Sequence, residues 1–286
     1  MKYAIDLINF GPFGDARVLA DLAKTAEDAG WDGFFIWDHL YWGPWPHVDP
    51  WVALTAMAMN TQRIRIGTMI TPIARRRAHK LARETVSIDH LSNGRLILGV
   101  GAGGGGAEEY DNFGEPDTDQ KRGAVLDEGL EILTGLWSGE PVHFQGQYLK
   151  ADGVRFLPTP VQQPRIPIWV AGFWPNKKPM RRAARFDGMF PLTHEAGLSG
   201  MVSVNDMRDA INYVAEQRGN RDFDVAHAGR STGDPAHDRP MIEPYAELGV
   251  TWWLENANPW AFGWDEKGQM PADVIIARIK QGPPRI

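Results

Sequence analysis

Short apolar segments alternate with amphipathic segments eight times along this chain of 286 residues. The apolar segments predict strands buried on both faces, and the segments between them repeat apolar residues at spacings of three and four, as helices do. Right-handed crossovers between parallel strands close eight such units into a barrel. We therefore predict the α/β class and a single (β/α)8 TIM barrel. An open doubly wound sheet is the alternative, but the chain shows no obvious reversal point in the strand order.

Capping residues support the proposed helix boundaries. Asp15 precedes a helical pattern that runs to Ala29, and Gly30 is placed to end that helix in a left-handed turn. Asp49 followed by Pro50 predicts the start of a second helix.

The regular alternation pauses at about residues 138–167. Two short strand-like segments flank Gln145-Gly146, which predicts a small hairpin between the fourth helix and the fifth strand. Because the alternation then resumes, we interpret this segment as an excursion from one barrel domain that spans residues 1–286.

Composition excludes several classes of function. A net charge of −6 and a pI of about 5.8 argue against nucleic acid or an anionic membrane as a partner. The chain has no cysteine, which excludes a thiolate nucleophile and a zinc–thiolate site. No apolar run is long enough to span a membrane, and the first residues do not resemble a signal peptide. We therefore expect a cytoplasmic enzyme.

The clearest candidate site follows the second strand. The apolar run Phe34–Trp37 ends in Asp38-His39, at a carboxyl strand end, where barrels place their catalytic groups. An imidazole is suited to acid–base chemistry near pH 7, and the adjacent Asp38 is placed either to orient it or to brace the loop. A capping Asp beside a surface His is the structural alternative.

A glycine-rich segment follows the fourth strand. Gly99, Gly101 and Gly104 match the dinucleotide-binding spacing, but no apolar helical face follows them. We reject a Rossmann site and expect Gly101 and Gly103 to let a flat ligand approach the backbone. A flexible loop over residues 103–106 is the alternative.

A third candidate is a predicted phosphate site after the fifth barrel strand. Small residues end the strand, a helix is predicted from about Pro179, and Lys177, Lys178 and Arg181 add positive charge. A solvated basic helix end is the alternative.

Metal catalysis is disfavoured, because the eight histidines form no metal-binding pattern. Glu255, just after the last predicted strand, is a candidate carboxylate at the barrel mouth, with a salt bridge as the alternative role.

Several segments resemble the bacterial luciferase-like flavin-dependent oxidoreductases. The resemblance is carried by Ile66–Pro72, by Leu91–Gly103, and by Ile168–Gly172 with the later Arg182–Gly188. It implies a β/α barrel with a flavin, or the 8-hydroxy-5-deazaflavin coenzyme F420, across the carboxyl ends of the strands. One departure is Gly104, where deazaflavin-dependent sugar-phosphate dehydrogenases carry a glutamate, so a sugar-phosphate substrate is in doubt.

The resemblance also implies roles for individual residues. His39 would manage a proton during hydride transfer, and Asp38 would orient it or contact the ring. The backbone at Thr68 and Met69 would lie behind the ring, and Trp42, Trp45 and Trp252 would line the substrate side. The cofactor's phosphate or tail would lie at five residues of one segment: Ala171, Gly172, Phe173, Trp174 and Asn176.

Three functional hypotheses follow. The Asp38-His39 pair favours an F420-dependent oxidoreductase acting on a small organic substrate. The alternative is an FMN-dependent monooxygenase that takes reduced flavin from a separate reductase and uses oxygen. The third hypothesis is a non-catalytic flavin-binding barrel. The resembled family also implies a homodimer.

Overall fold

The computed structural model describes residues 1–104, 107–115, 118–197, 200–219 and 222–284. Its strands are β1 (Lys2–Leu7), β2 (Gly33–Ile36), β3 (Arg65–Pro72), β4 (Leu96–Gly101), β5 (Val142–Gln145), β6 (Lys150–Val154), β7 (Ile168–Phe173), β8 (Gly188–Leu192), β9 (Asp224–Gly229) and β10 (Trp252–Asn256). Its α-helices are α1 (Ala16–Ala29), α2 (Pro50–Asn60), α3 (Ala78–Leu91), α4 (Asp119–Trp137), α5 (Lys177–Ala183), α6 (Val204–Arg218), α7 (Pro235–Glu247) and α8 (Ala272–Gln281).

Eight parallel strands close into a barrel in the order β1, β2, β3, β4, β7, β8, β9, β10. Pairing of β10 with β1, in which Asp6 lies opposite Asn256, completes the closure. The predicted (β/α)8 barrel is therefore confirmed, and the doubly wound sheet is excluded.

The predicted helix caps are present. The Asp15 carboxylate accepts a hydrogen bond from the amide of Arg17, and Gly30 ends α1 with φ at 94°. The Asp49 carboxylate accepts from the amides of Trp51 and Val52 at the start of α2. Local capping chemistry thus sets the boundaries of these two helices.

Aromatic side chains fill the amino-terminal half of the barrel interior. Trp169 packs against both Phe35 and Trp252, with ring centroids 5.3 Å apart in each pair. Lys2 places its ammonium 5.0 Å from the Trp252 ring, which marks this layer as the amino-terminal end. The interior is a packed core, as in other barrels of this type, and a ligand cavity must lie at the carboxyl ends of the strands.

The predicted hairpin exists as the antiparallel pair β5–β6, but its second strand begins at Lys150 rather than at Gln147. The Glu128 carboxylate on α4 accepts hydrogen bonds from the amides of Gln147, Tyr148 and Leu149. These three amides are therefore engaged with α4 and are not available to a strand ladder.

The Leu91–Arg95 segment supports the fold rather than the site. Asn93 and Gly94 take positive φ values of 54° and 76°, which turns the chain from α3 into β4. The buried Arg95 guanidinium then donates to the carbonyls of Ala58, Thr61 and Ile64. Arg95 thereby ties the end of α2 to the α3–β4 turn.

Replacing Arg95 with methionine is expected to lower the free energy of unfolding by about 3 kcal/mol, since several buried carbonyls lose their donor. Urea unfolding at pH 7 measures this loss. Arg77→Met is the matched control, because Arg77 is exposed at the start of α3, and its expected effect is within about 0.5 kcal/mol. An equal effect of the two substitutions would contradict this role of Arg95.

No helix in the described part of the chain is both long and apolar enough to cross a membrane.

Candidate active site

A cavity of about 810 Å³ opens at the carboxyl ends of the barrel strands. Every barrel strand or the loop directly after it contributes to its wall. We call it the mouth cavity. The predicted site residues that line it are Asp38, His39, Met69, Gly101, Gly103, Ala171, Gly172, Phe173, Trp174 and Asn176. The three separate sequence segments singled out as candidate sites thus meet at one cavity, although they span some 140 positions of the chain.

His39 lies in the wall of the mouth cavity, and a carboxylate that the sequence analysis did not assign to the site holds its ring. The Nδ1 atom of His39 is 2.9 Å from Oε2 of Glu109. Glu109 also accepts hydrogen bonds from the amides of Leu40 and Tyr41, at 2.5 and 2.9 Å. A carboxylate at Nδ1 favours the tautomer that keeps its proton there, which leaves Nε2 able to accept a proton.

Asp38 does not orient His39, contrary to one of the two roles expected for it. Its buried carboxylate pairs with Arg76 at 2.5 Å and with Arg75 at 3.1 Å. The other oxygen, Oδ2, is buried and has no hydrogen-bond partner among the described residues. Adjacent residues leaving a strand point to opposite sides, so the orienting carboxylate comes from the glycine-rich loop instead.

Arg75 joins the two carboxylates. Its guanidinium donates to Glu109 at 2.5 Å and to the carboxylate and backbone carbonyl of Asp38. The side chains of Arg75, Asp38 and Glu109 are 2, 0 and 3% exposed. We call Asp38, His39, Arg75 and Glu109 the Arg75 cluster.

Electrostatics within this cluster keep Glu109 ionised. Burial alone would raise its pKa, but the hydrogen bond from His39, the charges of His39 and Arg75 and the amide of Tyr41 lower the pKa to about 2. A carboxylate that stays charged at neutral pH stabilises a positive charge on the imidazole beside it. The cluster can therefore support proton transfer by His39.

The end of β3 forms one wall of the mouth cavity. The register with β4 shifts between Thr68 and Thr71, and the Met69–Ile70 peptide bond is cis. Met69 and Ile70 line the cavity. Thr68 does not, because its hydroxyl is buried and donates to the carbonyl of Gly99. Of the two positions expected behind the ring, only Met69 has a side chain at the cavity.

The segment from Ala171 to Asn176 forms the opposite wall. A Cβ atom at Gly172 would lie 2.0 Å from Cβ of Pro179, so glycine here allows α5 to pack against the end of β7. Asn176 caps α5 by accepting from the amide of Lys178. Helix α5 begins at Lys177, before the predicted Pro179.

The basic residues near α5 are partly engaged. Arg182 forms a two-point ion pair with Asp127, at 2.6 and 2.8 Å, and Lys177 lies over the Trp174 and Tyr213 rings. Lys178 lines the cavity.

The glycines at and just after the end of β4 line the cavity and also have a packing role. A Cβ at Gly103, where φ is 79°, would lie 1.7 Å from the hydroxyl oxygen of Tyr110, and a Cβ at Gly101 would strike Ile70. Glycine at these two positions lets protein side chains pack against the backbone. Gly104 has open space around it, and residues 105–106 lie outside the described part of the chain.

The structure does not bring the four residues expected on the substrate side to the mouth cavity. Trp42 stacks on Phe10 and touches the edge of His39, and Trp45 packs on Trp264. Trp252 is fully buried in the amino-terminal layer of the barrel interior. These three tryptophans were predicted to line the cavity because they lie close to predicted strand ends in the sequence. The cavity is lined by other residues.

Glu255 is the fourth of these residues. It forms a salt bridge, which was the alternative to a place at the barrel mouth. Strand β10 runs to Asn256, two residues beyond its predicted end, so Glu255 is inside the strand and faces the helices. Its carboxylate accepts from Ser231 and pairs with Arg278 at 3.2 Å. Burial raises the pKa of Glu255, although Arg278 opposes the shift.

Asp6 and Trp37 line the mouth cavity but were not among the predicted site residues. Asp6 lies near the end of β1, two residues after the inward-facing Ala4. Its position could have been predicted from the sequence. Alternation along β1 directs the Asp6 side chain into the barrel, and Asp6 lies near the carboxyl end of that strand, where barrels place their functional groups. Within the described residues, no group of three or more His, Cys, Asp or Glu is placed to hold a metal ion.

A closed parallel barrel with a carboxylate-held histidine in the wall of its mouth cavity is the arrangement of an α/β-barrel enzyme. Residues 9–236 match the family model described as luciferase-like monooxygenase. The chain belongs to this family of luciferase-like oxidoreductases and monooxygenases.

Relatives in this family include F420-dependent enzymes. The chain is 31% identical over 249 residues to the F420-dependent glucose-6-phosphate dehydrogenase of Nakamurella multipartita, an alignment that covers 84% of this chain and 69% of the relative. Alignments with dehydrogenases of the same name from four other bacteria cover 47–51% of those relatives, about half their length.

Solved structures share the fold at lower identity. An F420-dependent secondary alcohol dehydrogenase in complex with an F420–acetone adduct superposes with a TM-score of 0.77 at 18% identity, covering 99% of this chain and 98% of that one. The oxygenating constituent of 3,6-diketocamphane monooxygenase from Pseudomonas putida, in complex with FMN, gives a TM-score of 0.65 at 20% identity, with coverage of 85% and 71%.

Proposed function

We propose that this protein is an F420-dependent oxidoreductase that transfers a hydride to or from a small organic substrate in the mouth cavity. The observation that carries the proposal is His39, held by Glu109 at Nδ1 in the wall of that cavity. A hydride transfer to a carbonyl or from an alcohol requires a proton to move as well, and an oriented imidazole supplies that proton relay. We propose that residues 1–286 act together as one barrel domain.

The residues of the mouth cavity fit a planar redox cofactor. A volume of about 810 Å³ is within the usual range for small-molecule sites. Apolar side chains that include Met69, Ile70 and Phe190 offer flat contact, and the buried oxygens Oδ1 of Asp6 and Oδ2 of Asp38 have no partner among the described residues. A cavity with apolar walls and a few unpaired polar atoms suits a heteroaromatic ring.

The deazaflavin, when bound, supplies the two-electron hydride chemistry. The protein residues position and protect it. Met69 and Ile70 provide one wall, and the Ala171–Asn176 segment, with Lys178 beside it, would hold the phosphate or tail. Glu109 orients His39, His39 carries the proton at Nε2, and Arg75 keeps Glu109 charged.

Two observations support F420 over FMN. Asp38 precedes His39, the pair that deazaflavin-dependent members often carry at this position, and the relative that is aligned over 69% of its length is named F420-dependent. The FMN-dependent monooxygenase remains the alternative hypothesis, and the shared fold with an FMN-bound monooxygenase component is consistent with it.

Spectral titration of the purified protein with each cofactor separates the two hypotheses. We expect micromolar or tighter binding of F420 and at least tenfold weaker binding of FMN. Micromolar FMN binding without F420 binding would overturn the proposal and would favour a monooxygenase that depends on a separate reductase. If neither cofactor binds, an oxidoreductase function for this cavity is contradicted.

We also propose that the protein is a homodimer that uses α2 and the end of α3. Val52, Met59 and Leu91 are exposed by 58, 65 and 45%, which is unusual for apolar side chains. Light scattering of the wild type and of Met59→Lys tests this. We expect a dimer for the wild type and a larger monomer fraction for the variant, and a monomeric wild type would contradict it.

A further inference from the structure

Asp6 is a buried acid on the mouth cavity that none of the functional roles described above uses. It is 5% exposed, it lies near the carboxyl end of β1, and it lines the cavity. Its Oδ1 atom is buried and has no hydrogen-bond partner in the described part of the chain. The indole of Trp37 lies beside its carboxyl group and acts as a hydrogen-bond donor to it. An unpaired buried oxygen that faces a cavity is available to form a hydrogen bond with a ligand atom.

We propose that Asp6 is a cofactor-binding residue that recognises the redox ring through a carboxylic acid in its neutral form. A neutral carboxyl group offers one O–H donor and one acceptor oxygen. The imide edge of a deazaflavin or flavin ring carries an N–H donor beside carbonyl acceptors, which is the complementary arrangement. This inference rests on the proposed function, because it takes a redox ring as the occupant of the cavity.

The surroundings of Asp6 favour the neutral form. On the neighbouring β2 side the polar group is the indole of Trp37, and on β10 the residue paired with Asp6 is the uncharged Asn256. The charged residue of β10, Glu255, faces away and is paired with Arg278. The residues at the adjacent strand end, Asp38 and His39, are engaged with Arg75, Arg76 and Glu109.

No described cation is thus paired with Asp6, and burial raises its pKa to about 7, with the Trp37 hydrogen bond opposing the shift. A group of this kind is protonated below about pH 7 and ionised above it. Ligand binding that requires the proton becomes weaker as the pH rises through this range.

The test compares F420 affinity of wild type, Asp6→Asn and Asp6→Leu between pH 6 and pH 8, followed by ring absorbance or fluorescence. Asparagine keeps a donor and an acceptor but cannot ionise, so Asp6→Asn also corrects for any ionisation of the cofactor itself. We expect the wild-type affinity, relative to Asp6→Asn, to fall about tenfold from pH 6 to pH 8. Asp6→Leu should bind at least tenfold more weakly than wild type at pH 6.

Thermal unfolding provides a second readout, which also establishes that the variants fold. The folded-state pKa of Asp6 lies above its unfolded value, so its ionisation destabilises the folded protein as pH rises from about 4 to 7. Asp6→Asn and Asp6→Leu should therefore gain thermal stability relative to wild type as the pH is raised to 8.

The outcomes distinguish this inference from the proposed function. If the wild type binds F420 and Asp6→Leu binds it with the same affinity, the role of Asp6 is overturned but the proposed function is not. A pH dependence of the same size in wild type and Asp6→Asn would do the same, because another group would then carry it. Failure of the wild type to bind either F420 or FMN would remove the redox ring from the cavity and overturn both.

Discussion

Replacing Arg75 with methionine is expected to lower the free energy of unfolding by about 3–5 kcal/mol at pH 7. The side chain of Arg75 is 2% exposed and pairs with Asp38 and Glu109, which are equally buried. Methionine preserves much of the volume but removes the positive charge. Asp38 keeps its pair with Arg76, but Glu109 would remain in a low-dielectric site without an arginine counter-ion, and such an uncompensated charge costs more than the ion pair itself contributes.

Urea unfolding between pH 3 and pH 7 measures this effect and its sign. The pKa of Glu109 is lowered to about 2 in the folded protein, so its stabilising contribution is present above its unfolded pKa and is lost as pH falls towards 2. Removing Arg75 raises that pKa again. The difference in the free energy of unfolding between wild type and Arg75→Met should therefore be largest near neutral pH and should become smaller as the pH is lowered.

Arg77→Met again serves as the control, since Arg77 is two positions away and exposed. An Arg75→Met protein as stable as Arg77→Met, or a difference that does not narrow at low pH, would contradict the charge-pairing account of the Arg75 cluster.

The largest effect on activity is expected for His39→Ala, which should lower turnover by about 10²–10⁴-fold while leaving F420 affinity near the wild-type value. In the proposed function the imidazole carries the proton that accompanies hydride transfer, whereas the ring contacts come from other walls of the mouth cavity. The rate is followed by the absorbance change of F420 with a substrate that the wild type converts, beside an equilibrium titration.

His79→Ala is the matched control, because His79 is exposed on α3. Its turnover should equal that of wild type. Unchanged turnover in His39→Ala would remove His39 from the reaction, and a parallel loss of cofactor affinity would assign it to binding instead.

The barrel could be predicted from sequence because each unit carries its own local signal. Strands buried on both faces are continuous apolar runs, and residues such as Asp15 and Gly30 mark helix ends through local backbone chemistry. The position of Asp38-His39 followed from the same reasoning, since it depends only on where one strand ends.

The partners of His39 could not be predicted in this way. Glu109 is 70 positions away along the chain, and its place beside His39 depends on tertiary contacts, which include the packing of Tyr110 against Gly103. Glu109 was not assigned to the site from the sequence. Arg75, which was likewise not assigned to the site, is buried beside two carboxylates from different loops.

The errors at Trp252 and Glu255 come from the boundaries of β10. The strand starts at Trp252 and ends at Asn256, whereas the sequence favoured an earlier ending. A shift of two residues places Trp252 in the amino-terminal core layer and leaves Glu255 within the strand. Period-two alternation then sends Glu255 towards α8, where Arg278 pairs with it.

The central claim is that a deazaflavin ring occupies the mouth cavity beside His39, and a crystal structure of the F420 complex tests it most directly. The account predicts ring density bounded by Met69 and the Ala171–Asn176 segment, with the imidazole of His39 on the cavity side. Density for F420 at any other place on the protein, or a bound ring that His39 cannot reach, would contradict it.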